Sequence, residues 1–244
     1  MSLNLLPDLP VEVWRDIIQY LRNVPRAVPA VSLTSRHLRQ VCRPFLFERI
    51  VFDGFSGLGR AFSLFLFFER NPEARGWVKE LRISNWGIVG PGMPARGLDA
   101  SAVAMEKTFR TLSNLRALEI FKTYVTPGMW AHIGGSTHLR RLSFQPAYVS
   151  PEVEDECFEE SQLEELRLKN AENGSSIPDQ AFMLMYLESL KTIRIDVWLL
   201  TGAGKFLEEE PLPNHNLKVL DIFSEGTSLR MENEYFAAME EVLA

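Results

Sequence analysis

A short apolar pattern, apolar-x-x-apolar-x-apolar, recurs through most of this chain and limits what it can fold into. The six full copies begin at Val78, Leu115, Leu139, Leu163, Leu190 and Leu217, and a weaker version begins at Phe47. From the second full copy onward the starts differ by 24, 24, 27 and 27 residues, whereas the first step is 37 residues. Successive residues of a strand point to opposite faces, so each copy predicts one short strand with an apolar face. One unit cannot bury that apolar face alone, whereas a stack of units makes a continuous core.

This pattern resembles the leucine-rich-repeat signature, for which periods of about 20 to 29 residues are expected. The resemblance implies an α/β solenoid in which short parallel strands alternate with return segments that are often helical. A loop at Gly87–Gly97 would account for the longer first step. Segments with the composition for return helices are Leu58–Arg70, Ala100–Leu112, Pro178–Glu188, Leu199–Glu209 and, at the end of the chain, Met231–Leu243.

The stretch from residue 9 to residue 50 has a different character, that of amphipathic helices. Pro10 stands where a helix can begin without losing a hydrogen bond. Apolar residues then recur on a wide stripe made of Val13, Trp14, Ile17, Ile18 and Leu21. A segment of about 40 residues cannot bury so wide a stripe by itself. We therefore expect a partner protein to cover part of it.

The same stretch resembles an F-box. The matching residues are Leu9, Pro10, Glu12, Ile17 and Leu21 in the first helix, and Val31, Leu33, Ser35, Arg36, Leu38, Cys42, Leu46 and Phe47 in the second part. Pro25 and Pro29 fall between the two parts, and Pro29 is a residue at which the second helix can start.

The F-box resemblance implies docking to the Skp-type adaptor of a cullin–RING ubiquitin ligase, with the remaining chain presenting a protein target. Helices at Pro10–Leu21 and Val31–Phe47 would bind the adaptor. The section Phe62–Leu81, where a helix ends at Asn71-Pro72, is also similar to fungal F-box proteins. The chain then divides into an F-box at 1–48 and a leucine-rich-repeat-like domain at 49–244. The adaptor contacts implied are Leu9, Pro10, Val13, Ile17, Ile18, Leu21, Val31 and Leu33.

The strand residues between the apolar positions are expected to form a second, exposed face. Its candidate target-binding residues are Arg82, Phe121, Arg141, Arg167, Arg194 and Phe223, and the four arginines are expected to cross neighbouring strands as one row. Arginine binds carboxylates and phosphates bidentately, so the row could form a groove for an acidic or phosphorylated peptide. Cross-strand charge pairing that keeps an exposed sheet soluble is the alternative. The sequence leaves both open.

Composition excludes several other classes of protein. The net charge of −6 argues against nucleic acid as the main partner, because phosphate binding needs concentrated Lys and Arg. No apolar run approaches the roughly 20 residues of a membrane span. The two cysteines, Cys42 and Cys157, indicate a reducing compartment. We therefore expect a cytoplasmic or nuclear protein without a membrane or nucleic-acid partner.

No constellation of residues for catalysis, metal binding or cofactor binding is recognisable. The histidines lack metal-ligand spacing, and His132, His138 and His215 are expected in loops before repeat strands. The predicted protein is therefore not an enzyme and needs no cofactor. Two functional hypotheses remain. One is a substrate-recruiting subunit of an SCF-type E3 ubiquitin ligase; the alternative is a leucine-rich-repeat interaction scaffold that acts outside the ligase.

Overall fold

Seven parallel strands, one from each copy of the apolar pattern, are the central feature of the computed structural model of this chain. The structure describes residues 9–54, 58–86, 96–145, 148–149, 161–169, 181–182, 184–196, 199, 216–224 and 227–232. The strands are β1 (Arg49–Asp53), β2 (Glu80–Ser84), β3 (Ala117–Phe121), β4 (Tyr124–Val125), β5 (Arg141–Gln145), β6 (Tyr148–Val149), β7 (Glu165–Leu168), β8 (Thr192–Asp196), β9 (Val219–Ser224) and β10 (Thr227–Glu232).

The main sheet has the order β1-β2-β3-β5-β7-β8-β9-β10, which is chain order apart from two short strands. Strands β1 to β9 of this sheet are parallel, and β10 pairs antiparallel with β9 at one edge. The two short strands, β4 and β6, form a separate parallel pair. The fold is therefore α/β with a parallel sheet, and the weak copy at Phe47 supplies its first strand.

The described helices are α1 (Val11–Leu21), α2 (Ala27–Ser32), α3 (Arg36–Leu46), α4 (Leu58–Arg70), α5 (Pro72–Arg75), α6 (Arg96–Phe109) and α7 (Pro127–Gly134), with a 3₁₀ turn at Leu184–Tyr186. The prediction of a helix at Leu58–Arg70 is confirmed, and the helix predicted at Ala100–Leu112 is shifted toward the N-terminus as α6. No helix in the described part of the chain has the length and apolar character needed to cross a membrane.

Three sequence predictions about secondary structure need correction. The second F-box-like helix, predicted at Val31–Phe47, is two helices, because Ser35 adopts an extended conformation and its side chain accepts a hydrogen bond from the Leu38 N–H at 3.1 Å. Pro29 does not start a helix but lies in the first turn of α2, where its missing N–H has no intrahelical partner to lose. His132 lies in α7 and not in a loop.

The remaining predicted helices fall largely outside the described residues. The helix predicted at Met231–Leu243 is wrong at its first two residues, because Met231 and Glu232 pair with β9 as part of β10. Its other residues lie outside the described part, as do most of Leu199–Glu209 and four of the eleven residues of Pro178–Glu188. Most of the loop expected at Gly87–Gly97 lies there too, although Gly97 belongs to α6.

The core lies between the parallel sheet and the helices that follow its strands. In the five strands from β2 to β8 of the main sheet, both apolar positions are at most 2% exposed: Leu81 and Ile83, Leu118 and Ile120, Leu142 and Phe144, Leu166 and Leu168, Ile193 and Ile195. Side chains of α4, α6 and α7 join the same cluster, including Phe68, Phe109 and Trp130. The opposite face of the sheet is left without a covering helix in the described residues.

The first three helices form a small unit with its own core and a direct junction to the sheet. Ile18, Val28, Val41 and Cys42 make up that core, and burial raises the pKa of the Cys42 thiol. Only two residues separate α3 from β1. The first, Phe47, stacks on Phe67 of α4 with ring centroids 4.6 Å apart and planes inclined by 11°.

The second junction residue, Glu48, connects the helices to the sheet by charge. Its side chain is 9% exposed and lies 3.2 Å from Arg22 Nη2 and 3.0 Å from Lys79 Nζ. Its carbonyl accepts hydrogen bonds from the N–H groups of Lys79 and Glu80, each at 2.9 Å. The carboxylate and the main-chain carbonyl of Glu48 therefore both connect the helical unit to the start of β2.

Replacement of Glu48 by alanine should lower the free energy of unfolding by about 1–2 kcal/mol, because two half-exposed cations lose their shared partner. Chemical denaturation followed by circular dichroism measures this change. The matched control is Glu69→Ala, which removes an exposed pair with Lys107. That variant should change the stability by less than about 0.5 kcal/mol. Equal effects of the two variants would contradict the structural role of Glu48.

His132 is half-buried beside a core residue, and its titration should affect stability. Its ring meets Phe109 edge-on at 4.7 Å, and burial, together with the charge of Arg110, lowers the pKa of His132 below its usual 6.5. The unfolded chain therefore binds a proton at a higher pH than the folded chain does. The stability due to neutral His132 is present above pH 6.5 and is lost as the pH falls through the lower, folded-state pKa.

His132→Phe keeps an aromatic ring beside Phe109 and removes the titrating group. We expect wild-type protein to lose more unfolding free energy than this variant between pH 7 and pH 5. Denaturant unfolding at several pH values gives the difference between the two curves. Parallel curves would show that His132 is protonated as easily in the folded chain as in the unfolded one.

Candidate functional site

Exposed apolar side chains are concentrated on the helical unit. Among the large apolar residues that the structure describes, five of the eight exposed ones lie there: Val13 (40% exposed), Ile17 (38%), Tyr20 (84%), Val24 (51%) and Leu33 (75%). We call these five residues the apolar helical surface. Val13, Ile17 and Tyr20 are spaced by four and three positions, so they lie on the same side of α1.

The predicted adaptor-binding residues do not all belong to the exposed side. Pro10, Val13, Ile17 and Leu33 are exposed, and Leu9, Leu21 and Val31 are half-buried. Ile18 is 0% exposed and packs in the core of the helical unit, so the prediction of a surface position for it is wrong. The reason is helical geometry: Ile18 follows Val11 and Trp14 on the inward side, whereas Ile17 follows Val13 on the outward side.

The uncovered face of the main sheet is the second candidate surface. The strand register defines two rows of side chains across it. The central row is Val51, Arg82, Glu119, Ser143, Arg167, Arg194 and Asp221. The second row, two positions earlier in each strand, is Arg49, Glu80, Ala117, Arg141, Glu165, Thr192 and Val219.

The predicted single row of four arginines is therefore wrong in one member. Arg82, Arg167 and Arg194 share the central row, but Arg141 belongs to the second row. Arg141 stands one position before the first buried residue of its strand, whereas Arg82 stands one position after the corresponding residue. The four arginines thus form a cluster that occupies two neighbouring rows of the sheet face.

Most charges on this face are paired with a charge on another strand. Arg141 Nη2 lies 3.1 Å from Glu80 Oε1, and Arg82 Nη1 lies 3.9 Å from Glu119 Oε2. Arg194 lies between two carboxylates, with Glu165 at 3.6 Å and Asp221 at 3.7 Å. The hypothesis of cross-strand charge pairing thus describes three of the four arginines.

Both predicted aromatic residues of this face stack with cations. The guanidinium carbon of Arg82 is 5.6 Å from the ring centroid of Phe121, and Lys122 Nζ is 5.1 Å from the same ring. The guanidinium carbon of Arg167 is 4.7 Å from the ring centroid of Phe223. Such contacts stabilise a cation in a fixed place without neutralising it.

A shallow depression of about 220 Å³ lies in the middle of the face. Its lining includes two small residues, Ala117 and Ser143, together with longer charged side chains. Lys169, which follows β7, also lines it. None of these three residues is among the target-binding candidates predicted from the sequence. One feature of the sequence could have predicted the depression. Ala117 and Ser143 are small, whereas most other copies of the pattern carry Arg or Glu at the equivalent positions.

Comparison with known proteins gives no family assignment: a scan against models of protein families finds no match, and a search of curated proteins finds none either. The described residues also contain no group of three or more His, Cys, Asp or Glu side chains arranged to hold a metal ion. The interpretation of the two surfaces therefore depends on their own geometry and chemistry.

Proposed function

We propose that this chain is the substrate-recruiting subunit of an SCF-type E3 ubiquitin ligase. In this proposal the helical unit is an F-box that binds the Skp-type adaptor, and through it a cullin. The parallel sheet belongs to a leucine-rich-repeat solenoid whose uncovered face binds a protein target. The chain performs no chemistry itself, because its role is to raise the concentration of the target near the ligase.

The observation that supports this function is the concentration of exposed apolar side chains on the first three helices. Fully burying one large apolar side chain contributes about 1.5–3 kcal/mol, so five exposed ones on a small unit favour a partner. The helical unit has a closed core of its own, so these side chains are not needed for its folding. A protein partner that covers the apolar helical surface explains why they stay exposed.

The repeat assignment is supported by the period of the strands. Each strand of the parallel sheet lies beside the strand of the next copy, and most copies are 24 or 27 residues apart. These steps lie within the range of leucine-rich repeats. Repeat stacks of this kind commonly bind partners on an extended face, which suits a sheet face without a covering helix.

The alternative is a leucine-rich-repeat interaction scaffold that acts outside the ligase. The junction at Phe47 and Glu48 favours it, because stacking on α4 and an ion pair to Lys79, just before β2, attach the helical unit to the sheet and its helices as a terminal cap would be attached. A cap needs no partner on its outer side. The two functions therefore differ in whether a partner protein covers the apolar helical surface.

Co-expression of the chain with a Skp-type adaptor, followed by size-exclusion chromatography, tests the proposal. A one-to-one complex is the expected result. A chain that elutes alone with the circular dichroism spectrum of a folded α/β protein would reject the ligase function. The scaffold function would then explain the helices as a cap.

A further inference from the structure

A row of charged side chains follows the edge of the main sheet at which its parallel strands begin. From the copy at Val78 onward, the residue after the first apolar position donates its backbone N–H to the carbonyl of the equivalent residue in the preceding copy, at 2.8–2.9 Å. The residues that these hydrogen bonds align are Glu48, Lys79, Arg116, Arg140, Glu164, Lys191 and Lys218. We call this row the basic edge.

The basic edge carries five cations and two carboxylates, although the whole chain has a net charge of −6. Its members come from seven different copies of the pattern, so no run of basic residues in the sequence announces it. Neighbouring strands lie about 4.8 Å apart, which brings the charges of successive copies close together. Stacking of the strands therefore creates a local positive surface on an acidic protein.

The charges of the basic edge are compensated unevenly. Glu164 lies between two cations, with Arg140 Nε at 3.8 Å and Lys191 Nζ at 3.0 Å. At the other end of the row, Lys79 pairs with Glu48, as described above. Arg116 is exposed and has no carboxylate within 4 Å among the described residues. Since its two neighbours in the row are also cations, the surplus of positive charge is centred on Arg116.

A depression of about 350 Å³ lies at this surplus, and its lining residues are Asn114, Arg116, His138 and Arg140. Two of these side chains are held by main-chain carbonyls. Arg140 Nη1 donates to the carbonyls of Thr137 at 2.9 Å and Gln162 at 3.0 Å, and Asn114 Nδ2 donates to the carbonyl of Gly76 at 2.8 Å. A cation that is already fixed loses less side-chain entropy when it binds a partner.

We propose that the basic edge, centred on Arg116, is a docking site for an acidic segment of a partner protein. A carboxylate of that segment binds in the depression between Arg116 and Arg140, because a guanidinium binds a carboxylate through two parallel hydrogen bonds. Further carboxylates of the segment lie along the row beside the exposed lysines. The inference goes beyond the proposed function, since the basic edge belongs neither to the apolar helical surface nor to the uncovered sheet face.

The composition of the edge favours a protein segment over a nucleic acid. Glu48 and Glu164 interrupt the row, and a nucleic acid strand carries a phosphate at every nucleotide. A protein segment can place an uncharged or basic residue opposite each of these carboxylates. Sites for single-stranded nucleic acids combine cations with aromatic side chains on which bases stack. Among the described residues, no Phe, Tyr or Trp lines the depression.

The test is binding of fluorescent probes to the purified full chain without any adaptor, followed by fluorescence anisotropy. The main probe is a peptide of alternating glutamate and glycine with about ten residues, which is long enough to span the row. The comparison probes are the same peptide with glutamine in place of glutamate and a uridine RNA of about the same length.

We expect the glutamate peptide to bind at least about tenfold more tightly than the glutamine peptide, because several exposed ion pairs act together. It should also bind more tightly than the RNA. Equal binding of the two peptides would overturn the proposal. Tighter binding of the RNA would overturn the assignment to a protein partner.

Arg116→Gln locates the site, and the matched controls are Arg141→Gln on the sheet face and Lys107→Gln on α6. Each variant removes one positive charge from an exposed position, and the two control residues already pair with carboxylates. We expect Arg116→Gln to bind the glutamate peptide about fivefold more weakly and each control to lose less than about twofold. Arg116→Glu should lose more than Arg116→Gln, since it adds repulsion.

Equal losses in Arg116→Gln and both controls would reduce the effect to general charge attraction and overturn the site. A loss confined to Arg141→Gln would place the peptide on the sheet face and overturn it too. Circular dichroism checks that every variant is folded. Because these measurements omit the adaptor, their outcome is independent of the adaptor complex.

Discussion

Replacing Ile17 and Leu33 together by aspartate should abolish the complex with the Skp-type adaptor and leave the sheet folded. The two side chains are 38% and 75% exposed, so the free chain tolerates a carboxylate at both positions. In a complex, each aspartate would lose apolar contact and would also place a charge in a desolvated interface. Together these effects should weaken binding at least about a hundredfold.

Leu66→Asp combined with Val103→Asp is the matched control for this variant. These residues lie on α4 and α6 and are 48% and 65% exposed, so the substitutions have the same chemistry on a different part of the molecule. We expect the control to form the one-to-one complex in size-exclusion chromatography. Retention of the complex by the Ile17 and Leu33 variant would place the adaptor interface elsewhere, provided that both variants give the wild-type circular dichroism spectrum.

Leu166→Ala should destabilise the chain by about 2–5 kcal/mol, since it leaves a cavity in the middle of the stack. Leu166 is 0% exposed and lies in β7, which has a parallel strand on either side. Domains of this size are commonly stable by only about 5–15 kcal/mol, so the loss is a large fraction of the total. Chemical denaturation followed by circular dichroism measures it.

The neighbouring residue supplies the control for the core substitution. Glu165 belongs to the same strand but points to the opposite face, where it pairs with Arg194 across the sheet. Glu165→Ala should cost at most about 1 kcal/mol, as is usual for a partly exposed ion pair. Similar losses for the two variants would contradict the division of β7 into a core side and an uncovered side.

The strands of the main sheet were predictable because the apolar residues of the pattern are two positions apart, which is the spacing that burial of one strand face requires. Apolar residues two positions apart must share one face, so the pattern that begins at Leu163 predicts burial of Leu166 and Leu168. The register was also available in principle, since equivalent apolar positions pair across neighbouring strands. Applied to Arg141, that rule would have placed it beside Glu165 and not beside Arg167.

Other features depend on contacts that are distant in the sequence. Arg141 and Glu80 are far apart along the chain, and only the stacking of strands brings their charges within 3.1 Å. The two adjacent isoleucines of α1 have equal hydrophobicity, so the packing of α2 and α3 decides that Ile18 is inside. The local spacing of apolar residues predicts a helix at Met231, but pairing with β9 places this residue in a strand.

Because α3 and β1 are joined without a linker, the orientation of the helical unit relative to the sheet is fixed. Phe47 and Glu48 are the whole connection, and both are packed against other parts of the molecule. In the proposed ligase the bound target would then be held at a fixed distance and in a fixed orientation relative to the adaptor. Which target lysines come within reach of the ubiquitin carrier would depend on where along the target the segment bound by the sheet lies. Two targets with identical binding segments could therefore be modified to very different extents.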